Sequence, residues 1–235
     1  EIGETLSGLI AMMAGVGLIL GALSITGIAL AFSRELVALV GNNPLLILIA
    51  GALTSFILGM GMTTTACYIF LSVVMAPAIV AMGFYIIATH LFIFYWGMIS
   101  YITPPFALAV FGACGISKSD PWKTGWVAVR MGIVAYLIPF FFIYDPALIA
   151  QGPILNVLYT ALTALIGVWL LASGLEGYLR KAGVMRNWWT RAIVIAAGFL
   201  MFMPGWITDV AGIALAIVAF LIIRKSNAAK QPIAT

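Results

Sequence analysis

Residues 59–69 read GMGMTTTACYI, and this stretch decides what kind of chain this is. Two glycines and three consecutive threonines interrupt a region that is otherwise as apolar as lipid. A second interruption follows, SYITPPFA at residues 100–107. Around both, from Leu36 to Ser117, there is no Asp, Glu, Lys or Arg. A membrane-spanning helix needs roughly 20 apolar residues, so this block has room for several membrane segments, and the two breaks fall inside it.

Composition agrees. The chain is 64% hydrophobic and 8% charged, with a mean hydropathy of +1.19, whereas soluble domains carry about 25% charged residues. The expected class is an all-α integral membrane protein. The net charge of +4 does not point to nucleic acid, because the basic residues lie between apolar runs. Lys118, Lys123, Arg180, Lys181, Arg186, Arg191, Arg224 and Lys225 show the loop asymmetry of the positive-inside rule. Cys67 and Cys114 sit in apolar segments without metal-type spacing and read as packing residues. The chain starts at Glu1 without a basic amino-terminal region, which suggests a piece of something longer.

Working outward from the first break, Asn43 and Pro44 open a helix over residues 44–58. At 1.5 Å per residue it rises only about 22 Å, short of a hydrocarbon core of about 30 Å. Residues 65–81 are similarly short. Two short apolar helices meeting at a Gly/Thr tip are expected to form a re-entrant hairpin over 44–82. Residues 84–115 are too long for one span, and Pro104 and Pro105 lie in their middle. Proline removes a donor and drives the preceding residue out of helical geometry, so Thr103 is expected to be extended within a discontinuous helix.

Residues 5–33 are expected to form one glycine-rich helix, with Gly17 and Gly21 at a spacing that permits close packing. Residues 1–43 then read as a scaffold-type helix and connector, 44–118 as half of a transport domain, and 119–173 as two further scaffold-type helices. Residues 174–235 read as a basic loop and a membrane hairpin broken at MPGW, with one long kinked helix as the rival reading. Placing the basic loops 116–123 and 174–191 in the cytoplasm sends 144–154 outside, opens the hairpin 44–82 from outside and leaves the amino terminus cytoplasmic.

Half-helix ends that meet within a bilayer make a polar site: carbonyls and hydroxyls coordinate a small cation, and helix amino termini attract an anion. A single proline kink patched by threonine is the plainer reading of either break alone. The stretch GMGMTTTACYIFLSVVMAPAIVAMG, followed by HLFIFYWGMISYITPPFALAVFGACGISKSDPWKTGWVAVRMG, resembles the large membrane subunit of tripartite ATP-independent periplasmic (TRAP) transporters. The resemblance is closer to the fused permeases that work with TAXI-type binding proteins. It covers most of residues 5–150, as the carboxy-terminal half of the transport core, while residues 150–235 resemble only a variable extension.

The resemblance implies half of an elevator-type inverted-repeat transporter, with the other hairpin and broken helix on another chain or segment. It implies Gly59–Thr65 as the hairpin tip and Ser100, Ile102, Thr103 and Pro104 as the unwound segment. Thr63, Thr64, Thr65 and Thr103 are the candidate substrate-binding residues. Gly59, Gly61, Thr64, Ser100, Ile102 and Thr103 are the candidates for a Na⁺ site built partly from carbonyls. No other cofactor is expected, and H⁺ is an alternative coupling ion. Expected partners are a secreted TAXI-type binding protein, the first half of the permease, a small carboxylate and the bilayer, in a prokaryotic inner membrane. The widespread branch of the family has an acidic residue and a proline near the tip; this tip reads MTTT.

His90 reads either as a proton-carrying or substrate group or as a neutral histidine near the outer end of its span, hydrogen-bonded or at the interface. Arg130 can snorkel to the surface or face an anion. Asp209 reads as a helix cap or a proton relay. An intramembrane enzyme is the poorer alternative, since no paired carboxylates, H-E-x-x-H or G-x-S-x-G occur. A passive channel is a further alternative.

Overall fold

The computed structural model describes residues 25–228 except 42 and 61, with scattered positions before residue 25. Among the described residues it is helical apart from one two-stranded hairpin. It divides into two compact units, residues 1–143 and 144–235. Three stretches are long and apolar enough to cross a membrane: Pro121–Tyr144, Ile154–Glu176 and Trp206–Lys225.

In the first unit, α1 spans Ile28–Val40. The expected single helix over 5–33 falls partly outside the described residues, and what is described corrects it. Gly27, in the left-handed region at φ 71°, separates the preceding helical positions from α1, which then runs through Arg34 and Glu35 to Gly41. Among the described residues, a Cβ at Gly17 or Gly21 would meet nothing within 4 Å, so neither glycine shows the close packing that its spacing permits.

Helix α2 spans Pro44–Gly59 and starts as the sequence predicts: Pro44 opens it, and the Asn43 side chain accepts from the Leu45 and Leu46 amides at 3.1 and 3.4 Å. Ile47, Leu48, Gly51, Ala52, Ser55 and Gly59 are buried, while Leu45, Leu46, Ile49, Leu53 and Ile57 are exposed on an equally apolar outer face. A helix apolar all round belongs in a large core or in lipid. Helix α3 spans Thr64–Val74 and α4 spans Ala76–Ala81; they part at Met75, because Pro77 has no N–H to continue the ladder.

Helix α5 spans Ile86–Ile99 and tightens into a 3₁₀ turn at Ser100–Ile102. The chain then leaves helical geometry until α6, Leu108–Ser117. Thr103 is extended at φ −107°, ψ 124°, as a residue before proline should be. The Pro104–Pro105 peptide is cis, and Ala107 is left-handed at φ 35°. Helices α7, Pro121–Met131, and α8, Ile133–Tyr144, follow one another across Gly132; the Asp120 side chain caps α7 by accepting from the Lys123 amide at 2.8 Å.

The second unit holds a 3₁₀ turn at Pro146–Ile149, then α9, Ile154–Glu176. Glycine at 177, left-handed at φ 71°, ends α9 and starts a small antiparallel hairpin, β1 at Tyr178–Leu179 and β2 at Gly183–Val184. The basic segment 174–191 is therefore folded, where sequence suggested only a loop. The Asn227 amide pins it by donating to the carbonyls of Ala182 and Val184 at 2.9 and 3.2 Å.

Helix α10, Trp188–Leu200, and α11, Trp206–Ala228, lie on either side of a corner at MPGW. Gly212 packs against Met201 and the Ala197 carbonyl, and Val194 shares a core with Ala219 and Ile223, so the two helices run antiparallel. Gly167 on α9 and Gly198 on α10 bring their backbones together: a Cβ on either would lie 2.9–3.0 Å from the other's carbonyl oxygen.

Among the described glycines of the first unit, the tightest approach to a neighbouring backbone joins α2 to α5. A Cβ at Gly59 would sit 2.2 Å from the Gly97 carbonyl oxygen and 3.0 Å from its Cα. Gly59→Ala should therefore lower the thermal midpoint of the purified protein, with an overpacking cost of about 1–3 kcal/mol. Gly112→Ala, where nothing lies within 4 Å, should leave the midpoint unchanged or slightly raised, since alanine is the better helix former.

Candidate functional site

The tip and the break meet. The Tyr101 hydroxyl, on the 3₁₀ turn that follows α5, donates to the Met62 carbonyl at 3.0 Å and so ties the break directly to the hairpin tip. A second junction lies one turn earlier. Ser100, fully buried, donates to the Gly97 carbonyl at 2.8 Å, and that same carbonyl abuts Gly59 at the end of α2. Gly59 and Ser100 thus converge on one peptide group.

Of the other predicted site residues, Thr63 is exposed and caps α3, its hydroxyl accepting from the Ala66 amide at 3.4 Å. Thr64 and Thr65 form the first turn of α3, Thr64 half-buried and Thr65 exposed. Gly61 lies outside the described residues. Ile102 is half-buried and touches α7 and α8 where they join, its Cδ1 lying 2.8 Å from where a Gly132 Cβ would be.

Thr103 donates to the Ile99 carbonyl at 2.8 Å, which leaves its oxygen to accept from the Tyr136 hydroxyl of α8. The break is held from outside as well. Pro104 packs where a Cβ on Gly125 of α7 would stand, 2.7 Å away, and Tyr136 stacks edge-on to Trp96.

Gly97, Tyr101 and Tyr136 are the residues that sequence reasoning missed. Tyr101 stood within the quoted SYITPP stretch, but nothing there distinguishes a bridging phenol from a lipid-facing one. Gly97 lies one turn before Ser100, a spacing that becomes informative only beside Gly59. Tyr136 carries no sequence signal at all.

Electrostatically, the place is built from neutral oxygens. Among the described residues no three His, Cys, Asp or Glu side chains gather to hold a metal ion. Any cation bound here would take carbonyl and hydroxyl oxygens, the donor set of hard cations. The amino terminus of α3 supplies the opposite field, a partial positive charge at Thr63–Thr65.

His90 lies away from the break, nine residues before Ile99 on α5 and so about 14 Å along the helix. Its Nδ1 is 3.2 Å from the Tyr68 hydroxyl of α3, with the rings edge to face. This is the hydrogen-bonded arrangement of the plainer reading. Arg130 sits exposed in the last turn of α7.

Residues 1–157 match the family model of the tripartite ATP-independent periplasmic transporter, DctM component. The chain belongs to this family. The match takes in both breaks, the tether between them and the whole of α2 to α8. No curated protein and no solved structure matches the chain. A DctM component is the large membrane subunit of a transporter and not an enzyme, so the intramembrane-enzyme reading is set aside. Membership also implies two partners, a small membrane subunit and a substrate-binding protein. Residues 158–235, which carry most of α9 and all of α10 and α11, lie outside the matched region.

The tether makes a measurable claim about this DctM component. Losing a hydrogen bond costs about 1 kcal/mol, so Tyr101→Phe should loosen the tip roughly fivefold while the protein still folds. A cysteine introduced by Met62→Cys should then react several-fold faster with a small maleimide in the Tyr101→Phe background than beside the native tyrosine. Cys67 and Cys114 are buried and give little background.

Proposed function

We propose that this permease subunit imports a small carboxylate by ion-coupled, elevator-type alternating access, fed by a TAXI-type binding protein. The helical hairpin 44–82 enters and leaves the bilayer on one side, and its tip and the break at 100–107 share a site at mid-membrane. Na⁺ is the coupling ion, held by carbonyl and hydroxyl oxygens near Gly59, Gly61, Thr64, Ser100, Ile102 and Thr103. The carboxylate lies toward Thr63, Thr64, Thr65 and Thr103, at the amino terminus of α3. The other half of the core is supplied by another segment or chain, and the assembly sits in a prokaryotic inner membrane.

The observation that carries this reading is the hydrogen bond from Tyr101 to the Met62 carbonyl. Two helix interruptions have no structural need of one another, since each can be patched locally. Here Thr63 caps α3 at the tip and Ser100 and Thr103 patch the break from within their own turns, and Tyr101, rather than a residue of the tip, covers the Met62 carbonyl and joins the two. Joined breaks place helix carboxy termini, at Gly59 and Ile99, close to hydroxyls and to one helix amino terminus. That combination suits a cation and an anion bound side by side, which is what symport of a carboxylate requires.

Uptake by the complete transporter, reconstituted with its small subunit and binding protein, tests the reading. Uptake of a radiolabelled dicarboxylate or α-keto acid should rise at least tenfold when a sodium gradient is imposed and collapse with sodium ionophore. The combined Thr63→Val, Thr64→Val and Thr103→Val variant should insert and fold yet lose coupled uptake. Normal uptake by that variant would overturn the site, and uptake indifferent to ion gradients would overturn the coupling.

A further inference from the structure

The charges of the second unit are sorted to its two ends. Asp145 precedes α9, and Asp209 lies in the first turn of α11. Asp209 is not the helix cap that the sequence suggests. Thr208 closes that corner, its hydroxyl donating to the Met203 and Gly205 carbonyls at 2.8 and 2.6 Å, while Asp209 accepts from the Tyr159 hydroxyl of α9. At the opposite end stand Arg180, Lys181, Arg186, Arg191, Arg224 and Lys225, with Glu176 as the one acid among the described residues there. Arg224 is about 22 Å from Asp209 by helical rise, so the far acids do not neutralise this end.

The fold assembles these cations from separate segments. Arg180 and Lys181 come from the turn of the β hairpin, Arg186 from the link to α10, and Arg224 and Lys225 from the end of α11. Asn227 holds the segments together by donating to the Ala182 and Val184 carbonyls at 2.9 and 3.2 Å. Arg191 is used structurally: it is half-buried, its Nε donates to the Met185 carbonyl at 3.1 Å, and its guanidinium packs against Gly177. The other five are exposed. Like charges held at one end of a unit repel one another and favour an anion beside them.

Two further observations say which anion. The apolar spans of α9 and α11 end at Glu176 and Lys225, so the basic surface lies where hydrocarbon gives way to headgroups. Trp188 and Trp189 stack with ring centroids 3.7 Å apart at the start of α10 and are both largely exposed, as interfacial aromatic anchors are. Between them and the end of α11, Arg186 and Asn187 line a shallow cleft with Ile222 and Ile223. A group held at Arg186 therefore has an apolar helix flank beside it.

We infer that this end binds an anionic phospholipid, with the phosphate on Arg186 and the neighbouring exposed cations and an acyl chain along the Ile222 side of α11. Arginine suits a phosphate through paired donors in a fixed fork. A zwitterionic headgroup fits less well, because its own ammonium cancels the charge. A soluble polyanion meets the cations but leaves the tryptophan pair and the apolar flank unused. The inference stands apart from the transport reading, because every residue it uses lies beyond residue 157, where the family match ends.

The test follows the thermal midpoint of the full chain in detergent, with dioleoyl phosphatidylglycerol as the probe and dioleoyl phosphatidylcholine as its zwitterionic counterpart. Phosphatidylglycerol should raise the midpoint saturably and at several-fold lower concentration than phosphatidylcholine, and the difference should shrink as salt is raised. A cation near the surface contributes about fivefold to binding. The exposed pair Lys181→Gln with Arg186→Gln should therefore fold, yet bind phosphatidylglycerol at least about tenfold more weakly. If that variant does not fold, Arg224→Gln with Lys225→Gln serves, with the same expected loss. Lys118→Gln with Lys123→Gln removes equal charge from the first unit and should bind as the native chain does.

The inference is overturned if phosphatidylglycerol acts no better than phosphatidylcholine, if the folded site variants bind as the native chain does, or if the control pair loses as much. Glycerol phosphate that binds as tightly as the lipid would overturn it in favour of a free phosphate. An oligonucleotide or polyglutamate that stabilises the chain as well as the lipid would overturn it in favour of a soluble polyanion.

Discussion

A peptide group that leaves its helix in an apolar surrounding must find another partner, and an unpaired one costs about 1–3 kcal/mol by the measure of protein mutations. Everything near the centre of the first unit follows from how two such departures are repaired. At the break, the Thr103 carbonyl accepts from Ala107, the Thr103 amide donates to the Ser100 carbonyl, and the Ser100 and Thr103 hydroxyls return to carbonyls of the preceding turn. At the tip, Thr63 covers the Ala66 amide and Tyr101 covers the Met62 carbonyl. Hydroxyls do this because each can donate and accept at once, and they remain neutral.

Glycine does the complementary work. Helices in lipid gain little from burying apolar side chains against one another, since lipid is equally apolar, so they associate through close backbone approach. Gly59 against Gly97, Gly125 against Pro104 and Gly132 against Ile102 bring three helices up to the break. The oxygens there are consequently held by packing, the condition for a site whose neutral donors must replace a hydration shell without collapsing onto each other. Family membership makes this a transporter's membrane subunit, and the braced, joined breaks are where we propose that it handles ion and cargo.

The second unit uses the same device for a different end. Gly167 and Gly198 lock α9 to α10, and Gly212 locks α11 against α10. This produces a three-helix layer with its basic residues at one end and Asp145 and Asp209 at the other. Segregated charge of this kind orients a membrane segment.

The sequence by itself determined the class, because a charge-free run from Leu36 to Ser117 has no soluble fold open to it. It also determined several of the helix boundaries. Asn43–Pro44 and Asp120–Pro121 cap and open, and Pro104–Pro105 interrupts; these are local effects of missing donors and side-chain acceptors, so they survive in any fold. Tertiary structure alone decided which interruptions meet. Gly97, Tyr101 and Tyr136 look like any other residues of an apolar helix until a neighbouring backbone stands within 3 Å. Asp209 looked like a cap because it follows the MPGWIT break. The reason is the same in each case: a hydrogen bond between helices depends on their mutual rotation, and where apolar residues cover every face, periodicity no longer records it.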